Sequence, residues 1–478
     1  MGNRALAQEK SYQLARYYLK RLKNISAAYR RGHENSTFAL ATFDQDWPQI
    51  KHWWQWVHLH ADTDAQVAQL VLDFSLQGEE IFLFRFTPQE YLEWAEASLG
   101  VARKTRNRQI EVVCLRRIAW IMHKLARSDE AETTAYQALA LAESLGDLLS
   151  VGRVLGLLGE IITRKGTYAE SWDLSSRSLR MLLAFGAETY LPEVYRTLGD
   201  ICYLQGDFEG AFKYGFQALS ILEARGLNAS FIYNFLGALA CEYGDYELGE
   251  RYLLRCLANS QQRNDQSQLA IVLIWLGLLE LGRQNYSEAA KHFQESLQMA
   301  QSLGEAWVIP AIEVEQGYLF YQMNLWEAAK HKLSQSIASA RQYGYRGLLS
   351  EALLYFAEAN IASNHLDLAQ SALLEGITIA YEDKQTLEVT RGLMVAAQFA
   401  QRCGHPQQAV ERLGLLTTQR GVISTVFDAA SHLYSQVAEA FDSQQLNKWF
   451  QRGKMLDLDA VIESIIQELS YIAAVEFN

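Results

Sequence analysis

Residues 52–60 read HWWQWVHLH, three histidines and three tryptophans in nine positions. Residue types of this kind could ligate a metal through imidazoles, stack a ligand between indoles, or fill the core of a helix. On a helix beginning near Pro48, Trp53, Trp56, Val57 and His60 share one face, while Trp54 and His58 lie on another. His52 and His60 are two turns apart, about 12 Å along the axis at 1.5 Å per residue, too far to share one ion directly. The spacing points to a packed aromatic joint at the start of the next structural unit, with ligand stacking as the alternative. No metal site is expected.

Other candidate chemistry is thinner. Cys403-Gly404-His405 places a thiol beside an imidazole, but a cysteine nucleophile and its base come from separate elements, and the triplet falls where a turn is expected. Asp44 and Asp46, like Asp457 and Asp459, read as carboxylates at helix starts, where they complement the helix dipole. The chain contains no GxxxxGK[ST], HExxH or GxGxxG sequence, so nucleotide hydrolysis and zinc-protease chemistry lack their scaffolds. No catalytic residue and no cofactor are expected.

The five cysteines, 114, 202, 241, 256 and 403, show no paired spacing. With no apolar leader at the N-terminus and no membrane-length run, they imply a reducing, cytoplasmic setting. A net charge of -12 disfavours nucleic acid as a partner. The charge is uneven. Residues 1–31 and 101–127 each carry eight Lys/Arg against one Glu. Within the second stretch, Arg103, Lys104, Arg106 and Arg108 form either a solvated helical face or a basic docking patch for an acidic segment or a phosphate-bearing molecule.

The elements that would position such residues are helices. Ala, Leu, Glu, Gln and Arg fill long segments with apolar residues every three or four positions, and strand signals are scarce. An internal repeat organises them. Leu158-Gly159 recurs as Leu198-Gly199, Leu236-Gly237 and Leu276-Gly277, then as Gln316-Gly317, Phe356-Ala357 and Ala396-Ala397, at spacings of 40, 38, 40, 40, 40 and 40 residues. Seven residues after each pair stands Gly166, Gly206, Gly244, Gln284, Asn324, Asn364 or Gly404, suited to a left-handed turn between two helices. A large apolar residue follows two further on (Tyr168, Phe208, Tyr246, Tyr286, Trp326, Leu366), and a small one three beyond that, from Ser171 to Ala409. A second glycine series, 146, 186, 226, 304 and 344, closes several copies. Each copy is therefore a helical hairpin, and all five prolines, 48, 88, 192, 310 and 406, are expected near helix starts.

Leu-Gly in the first helix, Gly-x-Tyr at the turn and Ala at the next contact together resemble the tetratricopeptide repeat, in copies about six residues longer than the usual 34. The resemblance covers roughly residues 150–410, with weaker copies back to about 65. It implies an all-α, right-handed superhelical solenoid: a helical N-terminal cap over 1–64, eight or nine hairpins over 65–419, and a helical C-terminal cap over 420–478. The stretches YYLKRL, FDQDWPQIKHWWQW and YLEWAEASLGVARKTRNR, with RLGLL and WFQRGKMLDLDAVIES near the end, resemble the sensor arm of STAND-type signalling ATPases and related bacterial transcription regulators. Gln49-Ile50-Lys51 stands where those proteins carry Asn-Ile-Arg, and their ATPase portion has no counterpart here. That resemblance implies a sensing architecture without catalytic residues.

A solenoid of this type binds partners on the concave face formed by the first helices. With each Leu-Gly fixed, positions six and three before the glycine and one and four after it face the groove. Arg153, Glu160, Arg196, Asp200 and Tyr203 make its first part charged. Asn234, Ile271, Ile274, Leu278, Tyr318 and Tyr321 make its middle apolar and aromatic. Ile271, Ile274 and Leu278 either line the groove or, if the longer hairpins shift the register, belong to the core. The expected function is non-catalytic binding of a protein or peptide by a sensor or regulatory adaptor. The alternatives are a small-molecule-sensing solenoid and a regulatory subunit of an enzyme carried on another chain.

Overall fold

The computed structural model describes residues 2–31, 34–62 and 64–476, and no strand occurs among them. Five helices come first: α1 (Gly2–Arg30), α2 (Glu34–His60), α3 (Ala65–Ser75), α4 (Glu79–Arg85) and α5 (Pro88–Lys104). Eight hairpins follow among the described residues. They are α6 (Arg108–Lys124) with α7 (Ser128–Ser144), α8 (Leu148–Arg164) with α9 (Tyr168–Ala184), α10 (Leu191–Leu204) with α11 (Phe208–Ala224), and α12 (Ser230–Tyr243) with α13 (Tyr246–Arg263). Next come α14 (Gln266–Gly282) with α15 (Tyr286–Leu303), α16 (Ile309–Gln322) with α17 (Trp326–Tyr343), α18 (Arg346–Ala362) with α19 (Leu366–Glu382), and α20 (Thr386–Arg402) with α21 (Pro406–Leu416). The chain ends in α22 (Ser424–Ala438), α23 (Ser443–Gly453) and α24 (Leu458–Glu476).

The turn chemistry follows the repeat. All seven residues at the hairpin turns, from Gly166 at φ 88° to Gly404 at φ 83°, have left-handed backbone, including Gln284, Asn324 and Asn364. Arg106 and Ala126, also at positive φ, mark earlier turns that no glycine announced. The paired glycine has a steric role. A β-carbon on Gly237 would stand 2.8 Å from the Leu253 side chain, and one on Gly317 would stand 2.6 Å from Leu333. In each case the opposing residue lies sixteen positions on, in the second helix, so the glycine sets how closely the two helices approach.

Four of the five prolines open helices as expected. Pro48 does not; it lies inside α2, which runs unbroken from Glu34. Asp44 and Asp46 are consequently mid-helix, where they pair with Arg85 (2.6 Å) and Arg21 (2.6 Å). Asp457 does cap, accepting from the Ala460 amide at 3.0 Å. The tryptophan stretch forms the last turns of α2. Val57 is fully buried, and Trp54 stacks on Trp94 of α5 with centroids 3.9 Å apart. His60 Nδ1 is 2.8 Å from the Trp56 carbonyl oxygen, and burial lowers the His58 imidazole to about 4. Among the described residues no three His, Cys, Asp or Glu side chains form a metal-binding group.

The solenoid closes on itself. Groups about 180 to 227 residues apart in sequence hydrogen-bond to one another, so successive turns of the superhelix touch. Arg263 Nη1 donates to Ser36 Oγ at 2.9 Å, and Ser128 Oγ donates to the Tyr343 carbonyl at 3.3 Å. Lys124 and Arg164 both lie over the Trp307 ring, 4.4 and 4.0 Å from its centroid. At the turn before α11, a β-carbon on Gly206 would stand 2.9 Å from Gly421 Cα. This contact brings the segment after α21 back across the groove, and α22 then packs on α20 and α12.

Candidate functional site: an enclosed chamber

The closure turns the groove into an interior with two chemically different parts. The first is built from α4, α6, α8 and α10. Glu79 pairs with Arg116, with Arg117 at 3.2 Å and with Arg153 at 3.5 Å. Arg153 also lies over the Tyr190 ring at 4.1 Å. Burial works against the Glu79 charge, but the three guanidiniums hold its carboxyl well below the usual range. Glu160 accepts from Arg196 at 3.0 Å, and against the cost of burial Arg196 holds it down at about 2. Arg196 also binds Asp200. Glu193 and Asp200 depart from this pattern: burial pushes Glu193 up to about 7 and raises Asp200 against the pull of Arg196.

The second part is a cavity of about 870 Å³ walled by α12, α14, α16, α18 and α20 and closed by α22. Its aromatic side holds Trp275, Tyr318, Tyr321 and Tyr355. Tyr318 lies 4.6 Å from Tyr355 and 6.4 Å from Tyr321, centroid to centroid. Arg391 is 4% exposed, sits 4.2 Å over the Tyr355 ring, donates to Glu388 at 3.0 Å and lies 3.7 Å from Glu351. Glu358, also 4% exposed, accepts from Gln398 Nε2 at 3.3 Å. Burial pushes Glu242 and Glu358 up to about 7, against the opposing pull of Arg391. Glu315 and Glu351 are raised as well, first by burial and then by neighbouring carboxylates. From α22 come Thr425, Asp428 and His432.

The residues expected in the groove fall into three groups. Arg153, Glu160, Arg196 and Asp200 sit in the paired first part, and Tyr203, near Glu242 and Arg391, packs on Phe208 at 5.8 Å between the two. Leu278, Tyr318 and Tyr321 line the cavity. Ile274 is a core residue at 6% exposure, with Ile271 packed against the same core, and Asn234 is buried with its Oδ1 unpaired. In the basic stretch, Arg103 and Arg108 both reach Glu111 at 3.0 Å, Lys104 reaches Asp62 at 2.8 Å, and Arg106 occupies the left-handed turn before α6.

Sequence reasoning missed the most charged wall of the cavity. The four groove offsets, carried on to Ala357 and Ala397, land on Glu351, Leu354, Glu358 and Ile361, then on Arg391, Met394, Gln398 and Gln401. Six of these eight line the cavity. The signal was present in the repeat register, although the Leu-Gly pair itself had faded. Nothing in the periodicity marks α22 as a wall.

This architecture is an all-α helical-repeat solenoid. Residues 228–302, which span α12 to α15, match the tetratricopeptide repeat family. Among solved structures the chain is similar to a Rap protein complexed with competence and sporulation factor, at 16% identity and a TM-score of 0.53, covering 76% of this chain and 99% of that one. It is also similar to a STAND protein with a tetratricopeptide repeat sensor from Pyrococcus horikoshii, at 17% identity and a TM-score of 0.43, covering 78% of this chain. The chain spans about half, 55%, of that protein's length. No curated protein matches the sequence. These likenesses concern the fold.

Proposed function

We propose that the chain is a non-catalytic receptor that takes a short peptide into the enclosed chamber and works as a sensor or regulatory adaptor. The observation that carries this is the cavity of about 870 Å³, lined mainly by five consecutive first helices and flanked by α22. A long open groove suits an extended partner, whereas a cavity of this size walled by several helices suits a short ligand. The Rap protein, whose structure was solved with competence and sporulation factor, has a fold of the same kind. The cavity-lining Cys241 thiol is pushed up to about 12 by burial and so stays protonated, which suits a wall better than a nucleophile. Because α22 touches both the cavity and the last repeats, a ligand that favours one α22 position shifts the population of the C-terminal helices. On this reading residues 1–64 and 420–478 flank a solenoid over 65–419, and the second flank doubles as a wall.

The test is affinity selection, read by mass spectrometry, from a pool of random pentapeptides presented to the full chain. A subset should be retained by the wild type, and retention should fall at least about tenfold in Leu278→Arg, which fills the cavity with a charged side chain. If nothing is retained, peptide binding is wrong. A small-molecule sensor is the second reading, since the cavity also lies in the size range of small-molecule sites. It predicts a rise in melting temperature with a metabolite extract where the peptide pool gives none.

A further inference from the structure

Among the described residues the cavity wall carries Glu242, Glu358 and Asp428 against two guanidiniums, the buried Arg391 and the exposed Arg402. Arg391 is its buried cation, and Glu388 and Glu351 already hold that guanidinium. Glu242 and Glu358 line the cavity without an ion-pair partner among the described residues, and the charges of Glu351 and Glu242 reach Glu315. Three buried oxygens on the wall, Glu242 Oε2, Gln401 Oε1 and Thr425 Oγ1, find no hydrogen-bond partner in the protein. Buried polar oxygens are nearly always satisfied, and each one left alone is destabilising. They belong to three different helices, α12, α20 and α22, so they mark a shared space and not one local defect. The aromatic side of that space already holds one guanidinium, since Arg391 Cζ lies 4.2 Å over the Tyr355 ring centroid.

We infer that the chamber receives an organic cation, the guanidinium or ammonium group of a basic peptide side chain, seated between Glu242 and Glu358 and against the Tyr318 and Tyr321 rings. A guanidinium fits this set best: it brings five donors in a plane to oxygens that lack them and stacks on an aromatic face. An acidic or phosphorylated ligand would add negative charge to the glutamates, and a purely apolar one would leave the three oxygens unpaired. This inference rests on the chamber being the peptide site.

The test uses the full chain and four pentapeptide pools whose central residue is fixed as Arg, citrulline, Leu or Glu, with only uncharged residues elsewhere. Affinity selection at pH 7.5 should retain the Arg pool about tenfold more strongly than the citrulline pool, which keeps the shape and loses the charge. That preference should collapse in Glu242→Gln and in Glu358→Gln, each shown by circular dichroism to keep a cooperative melt. Equal retention of the Arg and citrulline pools, or preference for the Leu or Glu pool, overturns the cation inference and leaves peptide binding standing. A thermal-shift arm with agmatine and spermidine separates the source of the cation. If these amines alone bind, and bind through Glu358, the cation site stands and the peptide reading falls. If neither peptides nor amines bind, both are wrong.

Discussion

The interior contains two sets of buried charge that are handled in opposite ways. Around Glu79 three arginines surround one carboxylate, and around Glu160 and Asp200 the guanidinium of Arg196 is shared. There nearly every charge has a partner within the fold. Around Arg391 several carboxylates share one cation, and their proton affinity rises instead. Buried charges that are paired inside the chain do structural work, since removing either partner strands the other. Buried carboxylates left in excess lower the stability of the empty fold, and such groups are the ones most often kept for binding. The same repeat register thus builds a charge-paired joint in one half of the superhelix and a cavity with carboxylates in excess in the other.

The comparison can be broken most sharply at Glu79. Glu79→Ala leaves Arg116, Arg117 and Arg153 without their shared anion and should destabilise the chain by about 3 kcal/mol or more in denaturant unfolding. A loss below about 1 kcal/mol would show that the first half is not held by its charges.

The second half should respond to pH. Glu242 and Glu358 are raised to about 7 in the folded chain and return to the ordinary glutamate range on unfolding, so the folded state binds more protons between those values. Stability from these groups is fully present at acid pH and is lost as pH rises through about 7. Thermal melts should therefore fall by a few degrees, roughly 2–5 °C, from pH 6.5 to 8.5. Buried His58, lowered to about 4, acts with the opposite sign but below this window. In the double variant Glu242→Gln, Glu358→Gln the slope should flatten in part, since Glu193 and Glu351, raised to about 7 and about 8, act with the same sign in this window, and the melt at pH 8.5 should lie above that of the wild type. An unchanged slope would mean that these carboxylates are ionised in the fold. The smallest effect belongs to the surface: Lys104→Ala removes an exposed pair with Asp62 and should shift stability by less than about 1 kcal/mol.

Much of this molecule was legible from spacing alone. Leu-Gly pairs, the residues seven positions later and the small residues beyond them placed the hairpins and turns, because a hairpin is a local structure with a local signature. Arg106 and Ala126 show how the same turn hides when its residue is neither glycine nor asparagine. Tyr318 and Tyr321 were found by the offsets, and Glu358 and Arg391 answer to the same offsets in copies where Ala had replaced Gly. Pro48 misled because a proline inside a long helix resembles one at its start. The closing contacts lay beyond reach. Gly206 against Gly421 and Ser128 against Tyr343 join positions 215 residues apart, and nothing periodic records which turn of a superhelix will touch the next.

Hydrogen exchange read by mass spectrometry, with and without a retained arginine-containing pentapeptide, tests the central claim most directly. The account predicts added protection in α16, α18, α20 and α22, with α6, α8 and α10 unchanged because their charges are already paired. Protection confined to α6, α8 and α10, with none in the chamber helices, would contradict it.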